Sequence, residues 1–148
     1  SEVVLEDHEQ MRALLVDFEA FLGRPRPPIG EVGYHTWGSE LAQRLVTLHD
    51  RLFRHFRREE EGGLFDELRT QHPRAAPRLK RCLDEHPAIL SGLRELMDEA
   101  LGYSQGEEPM DPRLRRRVGA VLRRLERHEE YETELVMRLS MRDLGGMD

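Results

Sequence analysis

Two stretches of the chain set a histidine and a glutamate four positions apart: His55-Phe-Arg-Arg-Glu59 and His128-Glu-Glu-Tyr-Glu132. On a helix that spacing brings the imidazole and the carboxylate to one face. Projecting together, they are the donors from which metal sites inside helix bundles are built. Spacing alone decides little. With 7 histidines in a glutamate-rich chain about one such pair arises by chance, and exposed helices use the same spacing for ordinary ion pairs. The elements that carry the pairs must therefore be asked where they point.

Apolar residues at helical spacing (Val4, Leu5, Met11, Leu15, Phe18, Leu22) mark a first helix from about Val3 to Leu22, ended by Gly23 and the prolines at 25–28. A second helix runs from about Thr36 to Glu61 and closes at Gly62-Gly63. Pro73 and Pro77 bracket the next connection. The third helix extends from about Arg78 to Leu101 with Pro87 inside it, where the missing N–H predicts a kink or a split. Gly102, Gly106 and Pro109 mark a loop; Asp111 and Pro112 read as N-cap and first-turn proline of a last helix that runs to about Asp143, before Gly145-Gly146. Four amphipathic helices with no convincing strand predict one all-α domain over 1–148, an antiparallel up-down four-helix bundle.

On these helices the histidines face inward. Taking about 100° per residue, Leu41, Leu48, Leu52 and Glu59 fall within roughly 60° of His55, and Leu114, Val121, Leu125, Glu132, Leu135 and Leu139 within roughly 60° of His128. The same band around His86 holds Leu79, Cys82, Leu83, Ile89, Leu90, Leu93 and Met97, and around His8 it holds Leu5, Met11, Leu15 and Leu22. Height gives a separate test. His8 lies about 14 residues before its loop and His55 about 17 after it; His86 lies about 15 before its loop and His128 about 17 after it; at about 1.5 Å per residue an up-down bundle brings all four level. Four imidazoles, with Glu59 and Glu132, should therefore meet in one cross-section.

Composition narrows the classes. Hydrophobic content of 38% and charged content of 35%, rich in Leu, Arg and Glu, suit amphipathic helices. A net charge of −6 argues against nucleic-acid binding, and Arg113, Arg115, Arg116 and Arg117 read as a solvated helix face. The lone Cys82 excludes an internal disulfide framework and a cysteine-rich zinc module. No stretch reads as a signal peptide or a membrane span, so the expected setting is the cytoplasm.

Buried glutamates and histidines cost several kcal/mol each unless partnered, by a polar network or by metal. Six nitrogen and oxygen donors exceed what one zinc takes and suit two irons or manganeses bridged by carboxylates.

The pattern His8, His55-x-x-x-Glu59, His86, His128-x-x-x-Glu132 on four helices resembles the hemerythrin-like (HHE cation-binding) family, and covers nearly the whole chain. HFRREEEGGLF at 55–65 is similar to that family's second-helix signature and DEHPAIL at 84–90 to its third. The resemblance implies a non-haem di-iron centre, carboxylate-bridged and oxo- or hydroxo-bridged, with manganese the alternative metal, acting on O2, hydrogen peroxide or NO. It implies His8 and His55 on one iron, His86 and His128 on the other, and Glu59 and Glu132 between them.

The chain also departs from the oxygen carriers of that family. They have a fifth histidine four positions from the third-helix one and an aspartate five after the last. Here those places hold Cys82 or Leu90, and Glu132 at spacing four. Either Tyr34, His35, Cys82 or Glu85 supplies the extra donor, or a position stays open to water and substrate. An open position favours chemistry over storage. The expected function is a redox enzyme acting on O2, peroxide or NO, served by an unidentified electron donor. The alternatives are an O2/NO carrier or sensor and an oxygenase of an organic substrate.

Other residues carry plainer readings. His49 is expected at a helix boundary, His35 exposed before the second helix, and His72 on a surface loop beside Pro73. Cys82 is a small core hydrophobe unless it ligates. Phe56, Met11 and Leu125 would line the site; Arg12 and Arg124 would snorkel outward. Tyr131 is the candidate proton donor to bound peroxide.

Overall fold

The computed structural model describes residues 2–28, 31, 33–105 and 111–145, with side chains described over 5–141 of these. Val4, Gly106, Pro109 and Gly146, read above as a stripe residue and as terminators, lie outside the described side chains or residues. The described chain is all-helical: α1 Glu2–Gly23, α2 Tyr34–Glu61, α3 Leu64–Gln71, a 3-10 turn at Pro73–Ala75, α4 Ala76–Ser104 and α5 Leu114–Gly145. The four long helices match the expected ones. α1 packs on α2 and α5, and α4 packs on the same two.

Two differences from the expectation concern the middle of the chain. Residues 64–71, read as part of a connection, form the additional helix α3, which Gly63 starts with a left-handed φ of 82°. Leu64, Phe65 and Leu68 give α3 one apolar face, and Asp66 and Glu67 in its first turn suit the helix dipole. The second concerns the kink or split expected at Pro87: the split does not occur, and the helix runs unbroken from Ala76 to Ser104. Pro87 sits on the exposed face, while His86 and Ile89 beside it are buried. Inward packing holds the helix through the lost hydrogen bond. At the start of α5, the Arg113 N–H donates to Asp111 Oδ1 at 2.8 Å, so Asp111 caps that end as expected.

The core comes in two parts. A larger cluster holds Met11, Phe18, Phe21, Trp37, Leu45, Leu52, Phe56, Ile89, Leu93, Leu122 and Leu125 among others. A smaller one joins Phe65, Leu68 and Ala75 to Leu79, Cys82, Leu135, Val136 and Leu139. Between them every long helix contributes a buried polar residue: His8 from α1, His55 and Glu59 from α2, His86 from α4, and His128, Glu129 and Glu132 from α5. α3 closes the smaller cluster, and thereby one side of that polar layer. Among the described residues no helix is long and apolar enough to cross a membrane.

Candidate metal centre

The helical phase that puts Leu52 and Phe56 in the core of α2 carries His55 and Glu59 to the same face one turn on. On α5, Leu125 leads in the same way to His128, Glu129 and Glu132. All four histidines turn Nε2 toward carboxylates. His8 Nε2 lies 2.7 Å from Glu132 and 3.3 Å from Glu129. His55 Nε2 lies 2.6 Å from Glu59 and 3.4 Å from Glu129. His128 and His86 Nε2 stand 3.2 Å and 3.7 Å from Glu132.

The opposite nitrogen of each ring meets a side chain further out. His8 Nδ1 is 2.6 Å from the Thr133 hydroxyl, His86 Nδ1 3.1 Å from Glu60, His55 Nδ1 3.5 Å from Asp7, and His128 Nδ1 3.5 Å from Glu85. Asp7 is itself gripped by Arg58 at 2.9 Å. A partner on one ring nitrogen fixes the ring's orientation and leaves the other nitrogen to face a metal. Phe56 adds a wall, its ring stacked on His86 with centroids 3.8 Å apart.

These close approaches do not make a satisfied hydrogen-bond network. His55 Nε2, His86 Nε2, both nitrogens of His128, both oxygens of Glu59, both of Glu129 and Glu132 Oε2 are buried without an aligned hydrogen-bond partner. A metal-free polar core, the other reading of such a layer, should leave few atoms in that condition. The donor atoms fall into two groups, His8–His55–Glu59–Glu132 and His86–His128–Glu132, each within 4.8 Å. Each group can hold a metal ion, and Glu132 belongs to both.

The family model of the hemerythrin HHE cation binding domain matches residues 1–140. The chain belongs to this family. No curated protein and no solved structure matches it. The hemerythrin-type chain brings the six residues singled out from sequence, His8, His55, Glu59, His86, His128 and Glu132, into a single buried layer.

Charge in the layer is tightly coupled. Burial pulls the His55 imidazole toward its neutral form, but Glu129 and Glu59 outweigh it and hold the pKa up at about 11. His128 is raised in the same way: burial opposes, and Glu132 prevails. Burial and the neighbouring Glu132 push Glu59 well up. Glu132 goes well down, because Glu59 and three imidazoles outweigh its own burial.

The other expectations sort by distance. Tyr34 and His35 open α2, about 30 Å along the helix from His55, and His35 is exposed. Glu85 faces the outer nitrogen of His128. Cys82 is fully buried in the smaller cluster, and burial, with Glu132, Glu59 and Glu85, pushes its thiol up to about 12. His49 is half-buried, as expected of a boundary residue. His72 is not on the surface: it is 8% exposed, and its backbone N–H closes α3 on the Leu68 carbonyl. Helix α3 covers a place that Pro73 alone marked as loop. Arg12 and Arg124 are exposed. Tyr131 is half-buried against the smaller cluster, with the Arg81 guanidinium 4.5 Å over its ring. The residue that sequence reasoning missed is Glu129. It sits 100° round the helix from His128 and so outside the band searched, yet Leu125 four before it and Glu132 three after it share its face.

Proposed function

We propose that α1, α2, α4 and α5 form an antiparallel up-down four-helix bundle, a single domain, and that its buried layer holds two iron ions. Cross-helix contacts support the directions. Arg24 at the end of α1 approaches Glu40 near the start of α2, Arg115 at the start of α5 reaches the Arg24 carbonyl, and Arg117 pairs with Glu99 late in α4. In this reading His8 and His55 hold one ion and His86 and His128 the other. Glu132, common to both donor groups, would hold the two ions together, with Glu59 beside it as the second shared carboxylate. The observation that carries the reading is the set of buried, unaligned donor atoms around Glu132. Manganese would fit the same nitrogen and oxygen donors.

The protein is then a redox enzyme acting on O2, peroxide or NO. When bound, the metal pair supplies one-electron redox capacity and Lewis acidity; the chain supplies everything around it. Thr133, Asp7 and Glu60 hold three of the rings in aim, and Glu85 stands 3.5 Å behind the fourth. The two apolar clusters keep bulk water from the layer. A cavity between α1 and α5 touches His8 and Glu129 and has a volume of about 20 Å³. That is room for one water or a diatomic molecule to pass toward the layer, which favours a small reactant over an organic substrate. Tyr131 is the proton donor this reading assigns; Tyr131→Phe should slow peroxide turnover with iron content intact.

Metal analysis after anaerobic iron loading tests the centre. About two irons per chain are expected, and less than one would sink the reading. Optical spectra on adding O2, peroxide and NO separately then identify the reactant. The narrow cavity also suits a carrier or sensor. Reversible bleaching and recolouring with O2, without peroxide consumption, would replace the enzyme by that reading.

A further inference from the structure

We infer that Glu129 is a metal ligand, which completes the position of His8 and His55 and leaves the His86–His128 position as the one open to a small ligand. The inference rests on the two-metal reading above.

Glu129 is 7% exposed, and neither of its carboxylate oxygens has an aligned hydrogen-bond partner. Its two oxygens divide between the two histidines of one position: Oε2 stands 3.3 Å from His8 Nε2 and Oε1 3.4 Å from His55 Nε2. Metal–ligand bonds of about 2.1 Å at right angles put neighbouring donors about 3.0 Å apart. The distances from Glu129 match that spacing to within a few tenths of an ångström, as do those of Glu132 and Glu59 to the same two nitrogens. Glu129 lies just outside the tightest donor group.

A purely structural role fits less well, because a buried carboxylate with neither oxygen aligned to a hydrogen-bond partner is costly, and a metal within its reach would satisfy it.

The consequence is an asymmetry. With Glu59 and Glu132 bridging, each position would otherwise have two histidines and two glutamates. Glu129 adds a donor to the His8–His55 position alone: its oxygens come within 4.0 Å of the His8 and His55 nitrogens, and among the described residues no such approach joins it to the His86 or His128 ring, although its charge is felt at His128. The shortage of a fifth histidine is thus made good by a carboxylate, and on the α1–α2 side of the layer.

The test uses the full chain loaded anaerobically with two equivalents of ferrous iron, beside Glu129→Leu and the exposed control Glu130→Gln. Leucine has a similar volume and leaves no polar space for a replacing water. Near-infrared magnetic circular dichroism reports the coordination number of each ferrous ion. Wild type and Glu130→Gln should show two unequal ions, one with a donor more than the other; in Glu129→Leu the higher-coordinate signal should be lost and one of the two iron equivalents bind at least tenfold more weakly. Azide added to the oxidised protein should bind at one equivalent per chain in wild type. A Glu129→Leu spectrum equal to wild type, at full iron content, would overturn the assignment. So would two equal ions in wild type, a result independent of how the variant folds. A wild-type chain that takes up no iron overturns instead the reading on which it rests.

Discussion

Proton release on metal binding gives the sharpest check on the charge coupling in the layer. In the folded, metal-free chain His55 holds its proton to a pKa of about 11, against 6.5 for an ordinary imidazole, because the attraction of Glu129 and Glu59 exceeds the cost of burial. A difference of that size corresponds to roughly 6 kcal/mol between the two protonation states, as an order of magnitude. The folded value lies above the unfolded one. The stabilisation is therefore complete below about pH 6.5 and disappears as pH climbs toward 11. A metal needs the same Nε2 lone pair and must displace the proton. At about pH 8.5 an ordinary imidazole is only about 1% protonated and would release nothing; His55 should release close to one proton, and Glu59, raised by burial and Glu132, should add to it. The assay is a titration with Mn2+ in weakly buffered indicator dye, since ferric hydrolysis would add protons of its own. At least one proton per chain is expected at about pH 8.5, and the melting temperature of the metal-free protein should fall from pH 7 to 10. Release below about half a proton, with metal bound, would refute the coupling.

Three further outcomes follow from the same geometry. Glu132→Ala should abolish binding at both positions, because Glu132 is common to both donor groups, whereas His86→Ala should spare the His8–His55 position; iron counted per chain separates the two cases. Asp7→Asn removes the carboxylate behind His55 and should weaken metal affinity by about 10- to 100-fold, read by chelator competition, with little change in helix content. Phe65→Ala, by opening the smaller cluster, should cost about 3–5 kcal/mol in urea unfolding and leave the histidine layer exposed to solvent on the α3 side.

Sequence reasoning reached the layer because helical phase is a property of local spacing. His8, His55, His86 and His128 could be turned inward by counting residues, and put level by counting from loops. What it missed depends on partners far along the chain. α3 is 8 residues long with apolar positions at 64, 65 and 68, too short a run for periodicity to register. Its role comes from Leu79, Leu135 and Leu139, which arrive from elsewhere. Pro87 carried a local breaking signal, and inward packing of its neighbours overrode it. His72 looked like a loop residue because nothing near it in sequence reveals the cover above it.

Glu129 is the instructive miss, since the signal was present. Any search centred on a histidine ranks residues by their angle from it, and Glu129 lies 100° away. A site between helices, however, is centred on a point that several helices surround, and each presents to it a face wider than one side chain. On α5 that face spans from His128 through Glu132 to Glu129, so one helix can serve both metal positions at once. Glu132 at the middle reaches both groups, His128 falls to one side, and Glu129 falls to the other. The asymmetry of the centre then has a simple origin: α5 turns two flanking donors of different kinds, an imidazole and a carboxylate, toward two otherwise similar positions. Which position stays open is decided by which of the two has to share its carboxylates without receiving an extra one.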